Sequence, residues 1–281
     1  MTQGLTRLTV ETIDGVLERV IEQGAEALDL RGIRFTDPYA LLLLGLLVLE
    51  MTERRHAPRI EWPEAPAVRT WMNAMGFFTE IGTSKAVRFS SRSARSALQP
   101  ITAITDEAGI GRVVDGFHRR LAERYPLTEL SRRTLTAIMI ELFQNIPHHS
   151  NATGNVADPH GIAAMQDYED SLFLAIADKG VGLRGSLGLR PGYEGITDSR
   201  ALNSILHDGI SRFADAGRGG ELQRIVGVVR SWDGVLALRT GSALLYFDER
   251  GGDIYDVPDF PGVQLAIRIP LRLFDAEMVD P

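Results

Sequence analysis

Residues 39–51, YALLLLGLLVLEM, are of helical length and carry almost no polar face. A helix of that kind must be covered on several sides. Its uncharged part is about a dozen residues, whereas a membrane span takes roughly 20, so a buried core helix is expected. The flanking sequence offers the layers to bury it. GLTRLTVE (4–11), EALDLRGI (26–33) and PRIEWP (58–63) read as strands. Ile13, Val16, Leu17, Val20 and Ile21 recur at helical spacing and stop at Gly24. APAVRTWMNAMGFFTEI (65–81) reads as a further helix, and KAVRFS (85–90) as an edge strand. Strands alternating with helices imply a β/α layer over residues 1–90.

SSRSARSALQP (90–100) is rich in serine and arginine and lacks periodicity, so residues 91–105 are expected to link two domains. The second domain, 106–281, has a different pattern. EAGIGRVVDGFHRRLAERY (107–125) and TELSRRTLTAIMIELFQNI (128–146) predict helices. HGIAAMQDYEDSLFLAIADKG (160–180) predicts two strands turning at YED. Residues 181–220 are dotted with glycine and read as weakly structured, a length that more often marks a functional lid than a plain loop. A helix, ELQRIVGVVRSW, and the strands GVLALRT, ALLYFD and GVQLAIRIPL complete the chain. The fold class expected is therefore α+β.

Composition narrows the chemistry. The 281 residues include 37 acidic and 30 basic side chains, a formal charge of −7 that argues against a general grip on nucleic acid or anionic lipid. The absence of cysteine excludes disulfides, thiolate metal sites and cysteine nucleophiles. The opening MTQGLTRLTVE has no basic-then-apolar signal pattern, so a cytoplasmic protein is expected.

Three stretches carry candidate chemistry. In ELFQNIPHHS, Glu141, Asn145 and His149 are spaced i, i+4, i+8 and share one helix face. Asn145 offers a neutral oxygen that suits Mg²⁺ when substrate phosphates complete its shell. Glu141 can take a proton from an attacking water. Pro147 predicts a kink or an end to the helix there. In LAIADKGVGL, an apolar strand runs into Asp178, able to accept from an exocyclic amine such as adenine N6, and then into Gly180 and Gly182. In DAGRGGELQRIV, Gly217, Arg218, Gly219 and Gly220 lead into a helix, a phosphate-binding arrangement.

Taken in order, these stretches resemble the N box and the two glycine boxes of the GHKL ATPase superfamily, which includes gyrase, histidine kinases and the anti-sigma-factor serine kinases. GVQLAIRIP (262–270) resembles its closing strand. The likeness implies a Bergerat-type sandwich, helices layered on a mixed sheet, with ATP and Mg²⁺ as cofactors. Asn145 would hold the metal, Glu141 would act as base, and Asp178 would bind adenine. Gly180 and Gly182 would line the base and ribose; Gly217, Gly219 and Gly220 would line the phosphates, with Arg218 a further donor. His149 and Ser150 match the end of the box in the anti-sigma branch. The chain departs from the pattern at Pro147, at Glu221 in place of a glycine, and at Val263 in place of a threonine. No histidine-bearing helix pair precedes the ATP domain, and His118 is the one candidate phosphoacceptor. Residues 5–89 resemble STAS domains, the anti-sigma-factor antagonists, although Pro38 and Tyr39 stand where that family carries its acceptor serine, and Asp37 reads as a helix cap. Together the resemblances imply a regulator that switches a protein partner, sigma-regulator-like or another signalling protein, and are compatible with a homodimer. Slow ATP hydrolysis, phosphorylation of a protein Ser or Thr in trans, and a degenerate scaffold remain open.

Overall fold

The computed structural model describes residues 5–54, 58–80, 99–104, 107–126, 128–150, 161–210 and 220–274. Strand β1 (Arg7–Leu8) is followed by α1 (Asp14–Ile21), β2 (Ala27–Asp29), β3 (Phe35–Thr36), α2 (Pro38–Arg54), β4 (Arg59–Glu61), α3 (Pro66–Ala74) and the short α4 (Phe77–Glu80). Two short parallel pairs, β1 with β3 and β2 with β4, form here. Asp37 caps α2: its Oδ1 accepts from Ala40 N–H at 2.8 Å and its Oδ2 from Val10 N–H at 3.0 Å.

The remainder builds one five-stranded sheet, in the order β5 (Gln99–Ile104), β6 (Gly161–Asp167), β7 (Ser171–Ala177), β9 (Gly251–Pro270) and β8 (Val235–Asp248). Every neighbouring pair is antiparallel. Among the described residues this sheet is therefore wholly antiparallel, where the resemblance implies a mixed one. Short reversals between β6 and β7 and between β8 and β9 impose that direction. Helices α5 (Glu107–Arg124), α6 (Glu129–Ser150), α7 (Gly182–Leu187), α8 (Asp198–Asp208) and α9 (Glu221–Ser231) complete the chain, with a 3₁₀ turn at Leu271–Phe274. The α+β class holds.

Both faces of the sheet are covered. Along β7 the side chains alternate between two cores. Leu172, Leu174 and Ile176 join Phe117, Leu135, Met139 and Phe143 of α5 and α6. Phe173, Ala175 and Ala177 join the N-terminal core built on α2, as do Ala164, Ala237 and Ala266 of neighbouring strands. The second set is mostly alanine, so α2 lies close against β6, β7 and β9. Residues 40–43 of α2 are fully buried, which answers the need of that apolar run for cover. The buried guanidinium of Arg239 on β8 pairs with Asp14 of α1 and donates to Pro258 O at 2.9 Å.

Three differences from the sequence reading follow. Residues 99–104, expected in the linker, form edge strand β5, while 91–98 lie outside the described residues, as does the edge strand expected at 85–90. Helix α6 runs through Pro147 to Ser150 rather than ending there. An interior proline costs about 3 kcal/mol, and the burial of Leu135, Ile138, Met139, Leu142 and Phe143 on that helix outweighs it. Finally, the glycine-dotted stretch carries two helices. Thr197 caps α8, accepting from Arg200 N–H at 3.3 Å, and Gly209 ends it in the left-handed region. Asp198, 4% exposed, fixes α8 to the sheet by accepting from Ser242 N–H and Oγ–H at 3.2 Å each.

Candidate functional site

Asp178 lies directly beyond the end of β7 and is 3% exposed. Its Oδ1 accepts from Gly180 N–H at 2.6 Å and from Val263 N–H at 3.3 Å. Its backbone carbonyl accepts from the buried Gln264 amide at 3.0 Å. Among the described residues, Oδ2 has no hydrogen-bond partner. Burial pushes the carboxyl up to about 7, against the two N–H donors that favour its charged form. A donor offered to Oδ2 would stabilise the carboxylate further.

Two glycines make this geometry feasible. Gly262 has φ +87°, and a Cβ there would sit 2.1 Å from the Asp178 carbonyl oxygen. Gly182 has φ +69°, and a Cβ would meet the Thr240 hydroxyl at 2.9 Å. Only glycine fits either position. The first glycine box and the closing strand are thus pressed together. The register of β8 on β9 sets Thr240 opposite Val263. Thr240 Oγ1 accepts from Leu183 N–H at 2.9 Å. The threonine absent at 263 therefore has a hydroxyl near it, supplied by the adjacent strand.

Glu141 faces α9, where its carboxylate forms an ion pair with Arg224. The carboxylate is 14% exposed. Arg224 N–H also bonds to Gly220 O at 2.8 Å, so the residue holding Glu141 sits in the first turn after the second glycine box. Gly220 adopts φ +83° at the start of α9. Two clusters result: Asp178, Gly180 and Gly182 against Thr240, Gly262 and Val263 of the sheet, and Glu141 against Arg224 in the first turn beyond Gly220. The backbone of Asn145 and His149 lies on α6, but their side chains fall outside the described residues, as do Gly217, Arg218 and Gly219 and the side chain of Glu221. Among the described residues no group of three His, Asp or Glu side chains is placed to hold a metal.

His118, the candidate phosphoacceptor, sits on α5 with Nε2 2.7 Å from Thr136 Oγ1. It is half-buried, and that burial lowers its pKa. Sequence reasoning passed over Arg224, Thr240 and Lys179. Arg224 was visible as a cation in the first turn of the helix that follows the glycine cluster at 217–220. Thr240 left no local signal, because only strand register brings it to the site. Lys179 follows Asp178, and its ammonium reaches Glu50 at 2.7 Å and Glu53 at 2.6 Å on α2.

Neither a protein-family model nor a curated protein sequence matches the chain. Among the described residues no helix is long and apolar enough to cross a membrane.

Proposed function

We propose that this chain is an ATP-binding regulatory protein, with Asp178 as the adenine reader and the Gly220–α9 turn as part of the phosphate site. The observation that carries the reading is the buried carboxylate at a strand end, fixed through one oxygen by two backbone donors, with its second oxygen unpartnered among the described residues. Such a group suits an exocyclic amine. The resemblance of three ordered motifs to GHKL proteins supports the same assignment. Bound nucleotide would place a phosphate near Glu141 and Asn145, with Mg²⁺ on Asn145. The outcome would be slow hydrolysis or transfer to a protein Ser or Thr, which switches a protein partner. STAS-like residues 5–89 would be the regulatory module.

The Glu141–Arg224 pair favours a second reading, a nucleotide-binding scaffold that does not turn over. A carboxylate already paired with a guanidinium is a poor base. Calorimetry with ATP and GTP, with and without Mg²⁺, tests the shared part. ATP should bind at least tenfold tighter than GTP, whose six-position carries an acceptor. Asp178→Asn should weaken ATP by about 1–3 kcal/mol, the range for a charged hydrogen bond left unmade. Equal affinity for the two nucleotides overturns the assignment. Phosphate release then separates enzyme from scaffold.

A further inference from the structure

The ladder between β7 and β9 ends with Ala177 opposite Gln264. The next two residues, Asp178 and Val263, break its pattern. In a continuing antiparallel ladder such a pair exchanges both of its N–H···O=C bonds. Here one is made, from Asp178 N–H to Val263 O at 2.9 Å. Val263 N–H turns instead to the Asp178 side chain and donates to Oδ1 at 3.3 Å. The Asp178 carbonyl takes its bond from elsewhere: the Gln264 side chain donates to it through Nε2 at 3.0 Å.

The same Nε2 donates to Pro261 O at 2.8 Å. Pro261 and Gly262 are the residues that interrupt the register of β9 on β8, where Thr240 faces Val263 and Gly241 faces Phe260. Both neighbours of the amide are carbonyls, which only accept, so it must present its NH₂ to them. Gln264 is fully buried, and its Oε1 has no hydrogen-bond partner among the described residues. A buried acceptor left unpaired is costly. What the side chain contributes in this apolar strand is therefore its two donors.

This exchange of partners bears on the carboxylate. Gly180 N–H and Val263 N–H both hold Oδ1, and both favour the charged form. Without the Gln264 amide, the stranded carbonyl has Val263 N–H as its ladder donor. That N–H would swing back to it and leave the carboxylate one donor short.

We propose that Gln264 is a positioning residue for Asp178: by taking over the backbone carbonyl, its amide releases Val263 N–H to fix the carboxylate through Oδ1. The positioning stands on this geometry alone. Its effect on selectivity rests on the nucleotide reading above, because a carboxylate held in one orientation separates a six-amino from a six-oxo purine better than a loose one.

The test follows the Asp178 carboxyl in the full chain by carbon-13 NMR, with its signal assigned by Asp178→Asn. In the wild type the Val263 and Gly180 amide protons should both shift with the Asp178 titration, since both donate to that carboxylate. This measurement needs no variant of Gln264, so it decides even where such a variant does not fold. Gln264→Met keeps the length of the side chain and removes both donors. Its Asp178 midpoint should lie above the wild-type value of about 7, by roughly half a pH unit or more, and its Val263 amide should no longer follow. Phe117→Leu, a change in the core on the other face of the sheet, lowers stability without touching these bonds and should leave the midpoint where it is. By calorimetry, the preference for ATP over GTP should fall roughly fivefold or more in Gln264→Met. A wild type that binds both nucleotides alike, with Val263 still following Asp178, removes the nucleotide reading and leaves the positioning intact. The inference is overturned if the wild-type Val263 amide ignores the Asp178 titration, if the midpoint in Gln264→Met does not rise, or if the wild type prefers ATP and Gln264→Met keeps the full preference.

Discussion

Lys179 Nζ lies 2.7 Å from Glu50 Oε2, and this contact ties the residue after the candidate adenine reader to the buried helix α2. Burial lowers the Lys179 pKa, but its bonds to Glu50 and Glu53 outweigh that, and the net direction is upward. The pair is mostly shielded, at 21% and 16% side-chain exposure. A double-mutant cycle of Lys179→Met and Glu50→Gln, read by urea unfolding, should give a coupling of about 0.5–2 kcal/mol. Additive effects would mean the pair is solvated. Its sign with pH is fixed: the contribution is present below the lysine's unfolded value near 10.5 and fades as pH rises past its higher folded value.

Glu141 and Arg224 set the second expectation. Arg224→Ala releases the carboxylate, so phosphate release should rise above wild type if the chain turns ATP over. Glu141→Ala should keep ATP binding and lose turnover, since a positioned base acts on the transition state. Asn145→Ala should lose the Mg²⁺-dependent part of affinity. Unchanged phosphate release in both Glu141→Ala and Arg224→Ala would leave Glu141 a structural ion-pair residue.

Asp37 should make stability fall as pH rises. Burial pushes its carboxyl up to about 7, against the backbone donors at Ala40 and Val10. The folded state therefore holds a proton that the unfolded chain, with a value of 3.8, has released. The stabilisation is fully present below pH 3.8 and is lost progressively up to pH 7, at no more than about 1.4 kcal/mol per pH unit. Asp178 adds a slope of the same sign. Asp37→Asn should flatten the Asp37 part of the curve while costing stability at every pH, because one backbone donor then faces an amide NH₂. Chemical denaturation at intervals from pH 4 to 7 measures both effects.

Hydrogen exchange gives different expectations for two parts of the glycine-dotted stretch. Amides of α8 should be protected without nucleotide, because Ala201 and Leu202 are fully buried and Asp198 is bonded to Ser242. Residues around Gly192 and Gly195 should exchange faster. If α8 exchanges as fast as they do, its packing on the sheet is not a stable feature in solution.

The small side chains beneath α2 set the last expectation. Ala175 is fully buried between the sheet and the N-terminal core. Ala175→Leu should cost about 1–3 kcal/mol by overpacking, and Ala175→Ser less. A melting-temperature series across Ala175, Ala177 and Ala266 would show whether the stripe is as tight as its burial indicates.

Much of this architecture was legible. Helices α5 and α6 and the hairpin of β6 and β7 announced themselves by period and by the YED turn. The apolar run LFLAIA followed by Asp178, Gly180 and Gly182 marked a strand end and a turn, and the structure has β7 ending at Ala177. Three features escaped, each for a physical reason. Strands β8 and β9 read as fragments because the bulge at Gly241, and Pro258 and Pro261 opposite it, mimic chain breaks. Helix α8 had its Thr197 cap and its Gly209 stop in plain view, but the glycines around it masked a short amphipathic face. The joining of the two halves left the faintest trace. It rests on SLFLAIA, a strand apolar on both faces, and such a run implies cover on both sides.

That doubly covered strand has a consequence for where the molecule can be cut. A fragment starting near residue 99 would keep all three glycine and carboxylate motifs yet strip the alanine stripe of its cover, leaving one broad side of the sheet greasy and bare. A fragment ending near residue 80 would leave the leucines of α2 without the surface they lie on. The N-terminal layer and the sheet share a core, so a cut between them would expose apolar surface on both sides.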